Sequence, residues 1–362
     1  MRVYGSKVSY FTGKLEAYLR FKGFEYELLP SIRHQRAIRE HVGAIQMPVV
    51  ELDDGRWLSD STPTIAFLET LRPEPAVYPT DPVQRFMALL VEDYADEWLW
   101  RPAMHYRWSY AHDRELLASI LADELTSHIP LPRWLKRRLL QRRQRRGFVT
   151  GDGVSAATWG HVEGSYRNAL ASLDPVFAAR PFLLGETPTI ADFGLMGPML
   201  RHFGQDPTPA DLMRDTAPNV AAWVMRVWSA TPENTKPGLV DGVPDDLASL
   251  LEEITATHLV QLRENARAFA SDAKRFSQTV QGCRYSDLPI SRYRVWCLEV
   301  LRRDLRTLPA DGRSAVRSLL GGDEGDAAVL WQAEEIARSD YDPEGRAPFN
   351  RAINVYSSGI PR

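Results

Sequence analysis

Cysteine is nearly missing from this sequence. Only two of the 362 residues are cysteines, Cys283 and Cys297, and none precedes them. So few thiols exclude a disulfide scaffold and a cysteine-rich metal site, and we expect no bound metal. Redox chemistry in the part of the chain before Cys283 would therefore need a thiol that arrives with a ligand.

Long apolar runs and a strong net charge are missing as well. No uninterrupted apolar run approaches the roughly 20 residues that a membrane-spanning helix needs. The chain enters a strand pattern at Val3 and Tyr4, without the apolar core of a secretion signal. A formal charge of −3 gives no reason to expect nucleic acid or anionic lipid as a partner. We therefore expect a cytoplasmic protein that binds neither nucleic acid nor a membrane.

The first 75 residues alternate between strand and helix patterns. The first helix candidate carries Leu15, Tyr18 and Leu19 on one face, and Asp54-Gly55 is a strong hairpin signal between two strands. The resulting order β-α-β-α-β-β-α is that of the thioredoxin fold. The predicted strands cover residues 2–4, 24–29, 48–52 and 57–58, and the predicted helices cover residues 14–21, 33–41 and 62–71.

Two stretches rich in proline divide the chain, at residues 72–82 and 231–244. A chain of this length is expected to form two or three domains. The pattern between the two stretches is helical. We therefore predict a thioredoxin-like domain at residues 1–75, an all-helical domain at residues 83–230 and a helical extension at residues 245–340. Within the extension, helices are predicted at residues 247–269, 291–305, 314–320 and 327–338.

Three short segments of the first domain carry candidate site residues. Ser9 precedes the first helix, where unpaired N–H groups and a partial positive charge stabilise an anion such as a thiolate. Met47-Pro48 begins a strand, and a cis bond there would turn the Met47 backbone toward an extended peptide. Asp60-Ser61 precedes the third helix, where a carboxylate and a hydroxyl can hold the ammonium and carboxylate of a γ-glutamyl group.

Each segment also has a simpler interpretation. Ser9 or Thr12 can be an ordinary helix cap, Asp60-Ser61 can be a plain N-cap, and Pro48 can follow a trans bond. Nearby cations are candidates for binding a terminal carboxylate, although solvated helix faces carry such residues too. These cations are Lys14, Arg33, His34 and Arg36.

Four runs of the first domain carry a family resemblance through their order and spacing. They are Ser-Tyr-Phe-Thr at 9–12, Gly-Phe-Glu-Tyr-Glu at 23–27, Gln-Met-Pro-Val-Val at 46–50 and Leu-Ser-Asp-Ser-Thr at 58–62. Together they resemble the N-terminal domain of glutathione transferases of the serine type. The resemblance implies that Ser9 activates the thiol of glutathione and that Met47, before a cis-Pro48, pairs with the cysteinyl backbone. It also implies that Asp60 and Ser61 hold the γ-glutamyl group and that Gln46 contacts the peptide.

Two positions depart from the family pattern. Tyr10 stands where many members carry proline, and it is a rival to Ser9 because tyrosine activates the thiol in other classes. Thr12, a further candidate for glutathione binding, stands where redox relatives carry a second cysteine. Disulfide exchange by protein cysteines is therefore not expected. Residues 9–20 also resemble the metaxin and failed-axon branch, in which transferase activity is not the assured role.

The helical region contains a motif that supports the fold. Residues 182–193 resemble the family's C-terminal signature, in which Thr189 caps a helix and Asp192 bonds back to the cap. The basic segment at residues 133–146 is expected to pack an apolar stripe, which includes Trp134 and Leu139, on the domain and to leave its basic face solvated.

Aromatic residues crowd the region where the family usually builds its hydrophobic pocket. His105, Tyr106 and Trp108 are the candidates for substrate binding, and ordinary core aromatics are the alternative. The crowding indicates a bulky apolar or aromatic electrophile as substrate.

The sequence thus predicts an α+β protein: a thioredoxin-like domain, then an all-α domain like that of glutathione transferases, then an extra helical extension. The predicted activity is attack by the activated thiol of glutathione, a co-substrate, on a small hydrophobic electrophile, with a homodimer as the expected assembly. A non-catalytic binding protein on the same fold is the alternative from another class. A glutathione-dependent isomerase or lyase is a third, and it would bind glutathione without net consumption of thiol.

Overall fold

The computed structural model describes residues 1–126, 129–323, 325–332, 338–353 and 355. The chain begins with alternating strands and helices in the predicted order, with shifts only at the element ends. The strands are β1 (Arg2–Gly5), β2 (Glu27–Pro30), β3 (Val49–Glu51) and β4 (Trp57–Ser59), and the helices are α1 (Tyr10–Phe21), α2 (Gln35–Val42) and α3 (Ser61–Leu71). The sheet order is β2-β1-β3-β4, with β1 and β2 parallel and the other pairs antiparallel.

The two faces of this sheet are covered by different helices. Successive residues of a strand point to opposite faces, so Val3 joins the main core beside α1 and α3. Its neighbour Tyr4 packs on the other face with Val49 and with Ile38 and Val42 of α2. Helices on both faces of a small mixed sheet give the thioredoxin-like layer arrangement that the sequence predicts.

An all-helical region follows the sheet. Helix α9 packs against both α4 and α1, and Gly194 permits this close approach because a Cβ there would lie 2.7 Å from the Cα of Glu92. The helices are α4 (Pro82–Glu97), α5 (Trp100–Ser109), α6 (Ala111–Leu125), α7 (Arg133–Gln144), α8 (Trp159–Ala179), α9 (Ile190–Pro198), α10 (Pro207–Thr216) and α11 (Pro218–Ser229).

The predicted capping motif of α9 is present. The Asp192 carboxylate accepts from the Thr189 amide at 2.8 Å and completes a capping box. It also accepts from the Leu183 amide at 2.9 Å and from the Trp223 indole at 3.0 Å. One buried carboxylate therefore joins the start of α9 to the preceding loop and to α11.

Helix α7 packs less of its surface than the sequence predicts. Leu140 is buried, but Trp134 is 64% exposed and Leu139 is 52% exposed. The predicted apolar stripe is therefore wrong at these two positions. A helix that packs mainly against α6 buries only one narrow face, and Arg133 pairs with Asp123 of α6 at the surface.

The extension contains a β-hairpin as well as helices. The described elements are α12 (Ala248–Ile254), α13 (Val260–Ala270), β5 (Arg275–Val280), β6 (Cys283–Pro289), α14 (Arg292–Thr307) and α15 (Ala310–Leu319). A π-helical turn, Thr255–Leu259, joins α12 to α13, so the predicted helix at residues 247–269 forms with a widened middle. For the predicted helix at residues 327–338, the described residues show one 3₁₀ turn, Asp326–Leu330, and residues 333–337 lie outside the described part.

The hairpin was not predicted. Its turn consists of Gln281 and Gly282, which both have positive φ, 47° and 76°. This is the backbone that a two-residue turn between twisted strands requires, and Gly282 is the sequence signal for it. Val280, Tyr285 and Leu288 are buried, so the hairpin packs on the rest of the molecule.

The extension shares one hydrophobic core with the other domains. Arg294 of α14 donates to the Glu97 carboxylate at 3.0 Å, and Arg101 donates to the Gln261 side chain at 2.8 Å. All four side chains are buried, which ties the extension to α4 and α5. Of the helices in the described ranges, none combines the length and apolar character needed to cross a bilayer.

Candidate functional site

Three loops meet at one edge of the N-terminal sheet. In the strand register, Tyr4 near the end of β1 pairs with Val49 at the start of β3, and Val49 pairs with Ser59 at the end of β4. The loop that follows β1, the loop that precedes β3 and the loop that follows β4 therefore emerge side by side. These loops carry Ser9, Met47-Pro48 and Asp60-Ser61, so the structure brings together the three predicted segments.

Ser9 lies at the amino end of α1. Its backbone is extended, with φ −88° and ψ 132°, and its Oγ accepts from the Thr12 amide at 3.4 Å, so Ser9 is the N-cap of the helix. The side chain is half-buried, and the first turn of α1 contains no acidic residue. An anion at this point would meet unpaired N–H groups without carboxylate repulsion from that turn.

The Tyr10 hydroxyl points away from this edge. It is buried and donates to the backbone carbonyl of Ala95 in α4. The ring packs edge-on against Trp100 and His202, and its Cε1 atom would lie 2.8 Å from a Cβ at Gly197. Burial raises the pKa of Tyr10 well above its usual range, so the phenol stays protonated. This packing favours Ser9 as the group nearer a bound thiol.

Thr12 is also buried. Its side chain lies directly against Gly5, where a Cβ would approach it to 2.6 Å, and its Oγ1 accepts from the Ser6 amide at 3.5 Å. Its hydroxyl therefore faces the end of β1. A direct contact between Thr12 and a ligand stays a prediction.

The loop before β3 presents the predicted proline geometry. The Met47–Pro48 peptide bond is cis. Pro48 is buried, whereas Met47 and Gln46 are half-buried and lie at the edge of the domain.

Asp60 contacts the C-terminal extension, and no motif in the sequence indicated this contact. Asp60 has a positive φ of 73°, and its side chain makes no capping bond to α3. Its Oδ1 accepts from the Tyr293 hydroxyl at 3.2 Å and its Oδ2 accepts from the Tyr341 hydroxyl at 3.4 Å. The next residue, Ser61, is buried at the start of α3. Because 233 residues separate Asp60 from Tyr293, local patterns carry no information about this contact.

Lys14 is engaged in an internal ion pair. Its ammonium group contacts the carboxylates of Glu92 and Asp96 and donates to the Thr62 hydroxyl at 2.9 Å. Burial alone would lower the pKa of Lys14, but the two carboxylates raise it above its usual value. Lys14 therefore links α1, α3 and α4. Of the other candidate cations, Arg36 is paired with Glu40 on the surface of α2.

The candidate substrate residues of α5 are buried. His105 lies 3.3 Å from the Glu163 carboxylate and packs against Trp159. Tyr106 stacks on Tyr110, and Trp108 is buried in the same core. This packing favours the alternative interpretation as core aromatics, and substrate contact by these side chains stays a prediction.

Phe11, two residues after Ser9, belongs to a group of half-buried aromatic rings. Phe11 stacks on Trp100 with ring centroids 5.7 Å apart, and Trp100 meets Phe148 edge-on at 5.6 Å. All three side chains are partly exposed. The sequence could have indicated Phe11 as a site residue, because it follows Ser9 by two residues. It could not have indicated Phe148, because only the tertiary packing brings this residue next to Trp100.

Two segments of the chain match known family models. Residues 3–76 match the model described as glutathione S-transferase, N-terminal domain, and residues 155–230 match the model described as glutathione S-transferase, C-terminal domain. These two segments belong to the glutathione transferase superfamily. The helices α4 to α7 lie between the two matched segments, and the whole extension follows them, so both lie outside the matches.

Several solved structures are similar to this chain at low sequence identity. A glutathione S-transferase from Rhodospirillum rubrum F11 is 16% identical, with 67% of this chain and 95% of that chain covered and a TM-score of 0.44. The beta-etherase LigF from Sphingobium sp. strain SYK-6 is 19% identical, with 62% and 93% covered and a TM-score of 0.44. A glutathione S-transferase from Methylobacterium radiotolerans in complex with glutathione sulfonate is 18% identical, with 67% and 99% covered and a TM-score of 0.39. No functionally curated protein matches the sequence.

Proposed function

We propose that this chain binds glutathione at the amino end of α1 and activates its thiol for attack on a small hydrophobic electrophile. The position of Ser9 supports this proposal most. Its half-buried hydroxyl caps a helix whose first turn lacks acidic residues. A sulfur at this point would accept a hydrogen bond from Ser9, and the helix N–H groups would favour its thiolate form.

The rest of the tripeptide fits the neighbouring loops. The Met47 backbone, before the cis proline, is the partner for the cysteinyl backbone, and Gln46 lies next to it. Asp60 and Ser61 at the start of α3 are the partners for the ammonium and carboxylate of the γ-glutamyl group. Thr12 would act only indirectly, through the amide that Ser9 caps.

In the proposed reaction the glutathione thiol first loses its proton to solvent. The sulfur lone pair then forms a bond to the electrophilic carbon, and a leaving group departs with its bonding electrons. Where the electrophile is an activated double bond, the adjacent carbon instead takes a proton from water. Activation of the nucleophile and proximity supply the acceleration, so few side chains are needed.

The electrophile has two candidate locations. The half-buried rings of Phe11, Trp100 and Phe148 lie beside the residue that follows Ser9, and they offer an apolar surface. The rings of Tyr106 and Trp108, further along α5, are buried in the hydrophobic core. The exposed edge at Trp100 is the better supported location because a ligand can reach it without moving the core.

A non-catalytic binding protein is the second candidate, and the contacts of Asp60 favour it. The Asp60 carboxylate accepts from Tyr293 and Tyr341 of the same chain, and the Ser59 amide donates to the Pro348 carbonyl at 3.0 Å. An extension that occupied the γ-glutamyl position permanently would leave the fold without a substrate site.

One experiment compares these candidates. The wild type, Ser9→Ala and Tyr10→Phe are tested for retention on immobilised glutathione and for conjugation of a chromogenic aromatic electrophile, with thiol consumption measured. We expect all three to be retained, Ser9→Ala to lose at least about tenfold in kcat/KM and Tyr10→Phe to stay within about twofold.

Each other result has a distinct meaning. If the wild type is not retained, the binding-protein candidate replaces the enzyme. Retention without thiol consumption would support an isomerase or lyase. Full activity in Ser9→Ala would remove Ser9 from the mechanism.

A further inference from the structure

The extension reaches the candidate glutathione site through two tyrosines. Tyr293 is a buried residue in the first turn of α14, and Tyr341 lies in residues 338–353, which we call the C-terminal strap. The Tyr293 hydroxyl bonds one carboxylate oxygen of Asp60, and the Tyr341 hydroxyl bonds the other. Two donors, one on each oxygen, restrict rotation of the carboxylate about its χ2 torsion.

The two phenol rings pack in one aromatic cluster. Tyr293, Trp296 and Tyr341 form a cluster in which ring centroids lie 5.0–5.4 Å apart. Burial raises the pKa of Tyr293 well above its usual range, so its hydroxyl stays a donor at neutral pH. The packing of the rings therefore helps to keep both hydroxyls next to Asp60.

The C-terminal strap is anchored on both sides of Asp60. On one side, the Ser339 amide and hydroxyl both donate to the Glu299 carboxylate of α14, each at 2.6 Å. On the other side, the Ser59 amide of β4 donates to Pro348 at 3.0 Å, and the Ala352 amide donates to Val42 of α2 at 2.7 Å. The strap therefore runs from α14 past Asp60 to the far side of the sheet and follows the open edge of β4.

We propose that Tyr293 and Tyr341 are positioning residues that orient the Asp60 carboxylate toward the ammonium group of a bound γ-glutamyl peptide. This inference rests on the proposed function, because it assigns the extension to the same site. The extension then forms one wall of the glutathione site. The ammonium group of glutathione is recognised with the help of residues that lie outside the two matched domains.

The test measures binding to the full-length protein with two ligands. One ligand is glutathione, and the other is glutaryl-cysteinyl-glycine, which lacks only the α-ammonium group. Dissociation constants are measured for the wild type, Tyr293→Phe and Tyr341→Phe. Each variant keeps the aromatic ring and removes one hydroxyl, so the packing of the cluster is retained.

We expect each substitution to weaken glutathione binding by about three- to tenfold and to change binding of the glutaryl peptide by less than about twofold. Asp60→Asn should remove most of the preference for glutathione, and adding Tyr293→Phe to it should then have little further effect. Tyr285→Phe is the matched control, because this buried tyrosine of the extension bonds His161 instead, at 2.6 Å, and its removal should leave both affinities unchanged.

The opposite outcomes are informative in different ways. Equal weakening for both ligands would mean that the tyrosines act only on local packing, and stronger binding in the variants would mean that the strap covers the site. Either result overturns the positioning role. A wild type that binds neither ligand would instead overturn the proposed function itself.

Discussion

Lys14 and Glu92 form an ion pair in the interior, with side chains 0% and 4% exposed. The pair joins α1 of the thioredoxin-like domain to α4 of the helical region, and Asp96 completes it as a second acid. Removal of the ammonium group would leave two buried carboxylates without their cation. The cost of that state exceeds the value of a surface ion pair several-fold.

We therefore predict that Lys14→Met lowers the free energy of unfolding by about 3–5 kcal/mol. Urea denaturation followed by circular dichroism measures this loss. Arg36→Met is the control, because the Arg36–Glu40 pair is exposed, and we expect a change below about 1 kcal/mol. A loss in Lys14→Met as small as that of the control would show that the interior pair is not required.

Gly197 and Gly160 provide a matched pair of helical glycines. A Cβ at Gly197 would lie 2.8 Å from the Tyr10 ring, whereas a Cβ at Gly160 would meet nothing within 4 Å. We predict that Gly197→Ala destabilises the protein by about 1–3 kcal/mol through overpacking. Gly160→Ala should stabilise it by up to about 1 kcal/mol through helix propensity. Thermal unfolding of both variants measures the difference, and equal effects would contradict the close contact with Tyr10.

Glu163 is expected to make stability depend on pH. Burial tends to raise the pKa of Glu163, but hydrogen bonds from Tyr110, His105 and Trp159 lower it below its usual value of 4.5. The carboxylate therefore binds protons less tightly in the folded state than in the unfolded state. Its contribution is fully present above about pH 4.5 and is lost as the pH falls through the lower, folded pKa.

We predict that the stability advantage of the wild type over Glu163→Gln is constant near pH 7 and shrinks below pH 4.5. Urea denaturation between pH 7 and pH 3.5 measures it. Glu186→Gln, at an exposed position, serves as the control and should show almost no difference at any pH. If the stability advantage of the wild type over Glu163→Gln grew as the pH fell, the lowered pKa of Glu163 would be contradicted.

Trp100 and His105 test where the electrophile binds. Trp100 is half-buried beside Phe11, and His105 is fully buried against Glu163. We predict that Trp100→Leu raises KM for an aromatic electrophile by about fivefold or more, with glutathione affinity unchanged, because it removes apolar contact area. A folded His105→Asn should leave that KM unchanged. The reverse pattern would move the electrophile to the buried rings around His105.

Much of the fold follows from local patterns. The strand and helix order of the first domain, the N-cap at Ser9 and the capping box at Thr189 each depend on residues within one turn or one strand of each other. Such signals act over short distances and need no knowledge of the packing. The same is true of Gly282, whose turn signal was present although the hairpin was overlooked.

Burial could not be predicted in the same way. Tyr10 and Phe11 are adjacent aromatic residues. Their residue types do not indicate that Tyr10 is buried with its hydroxyl on the Ala95 carbonyl while Phe11 stays half-exposed. Trp134 and Leu139 are apolar and on a helix, yet they face solvent. Which side of an element meets a neighbour depends on where that neighbour packs, and periodicity does not report it.

The amino-acid sequence by itself determined the order of elements, the helix caps and the three loop motifs of the first domain, because each is encoded by neighbouring residues. Only the tertiary structure decided which of the Ser9 and Tyr10 hydroxyls stays at the edge of the N-terminal sheet, which aromatic rings stay accessible and that Tyr293 and Tyr341 reach Asp60. Those contacts join residues up to 281 positions apart. They arise from the packing of separate helices and loops, and side-chain burial and distance exist only once the chain has folded.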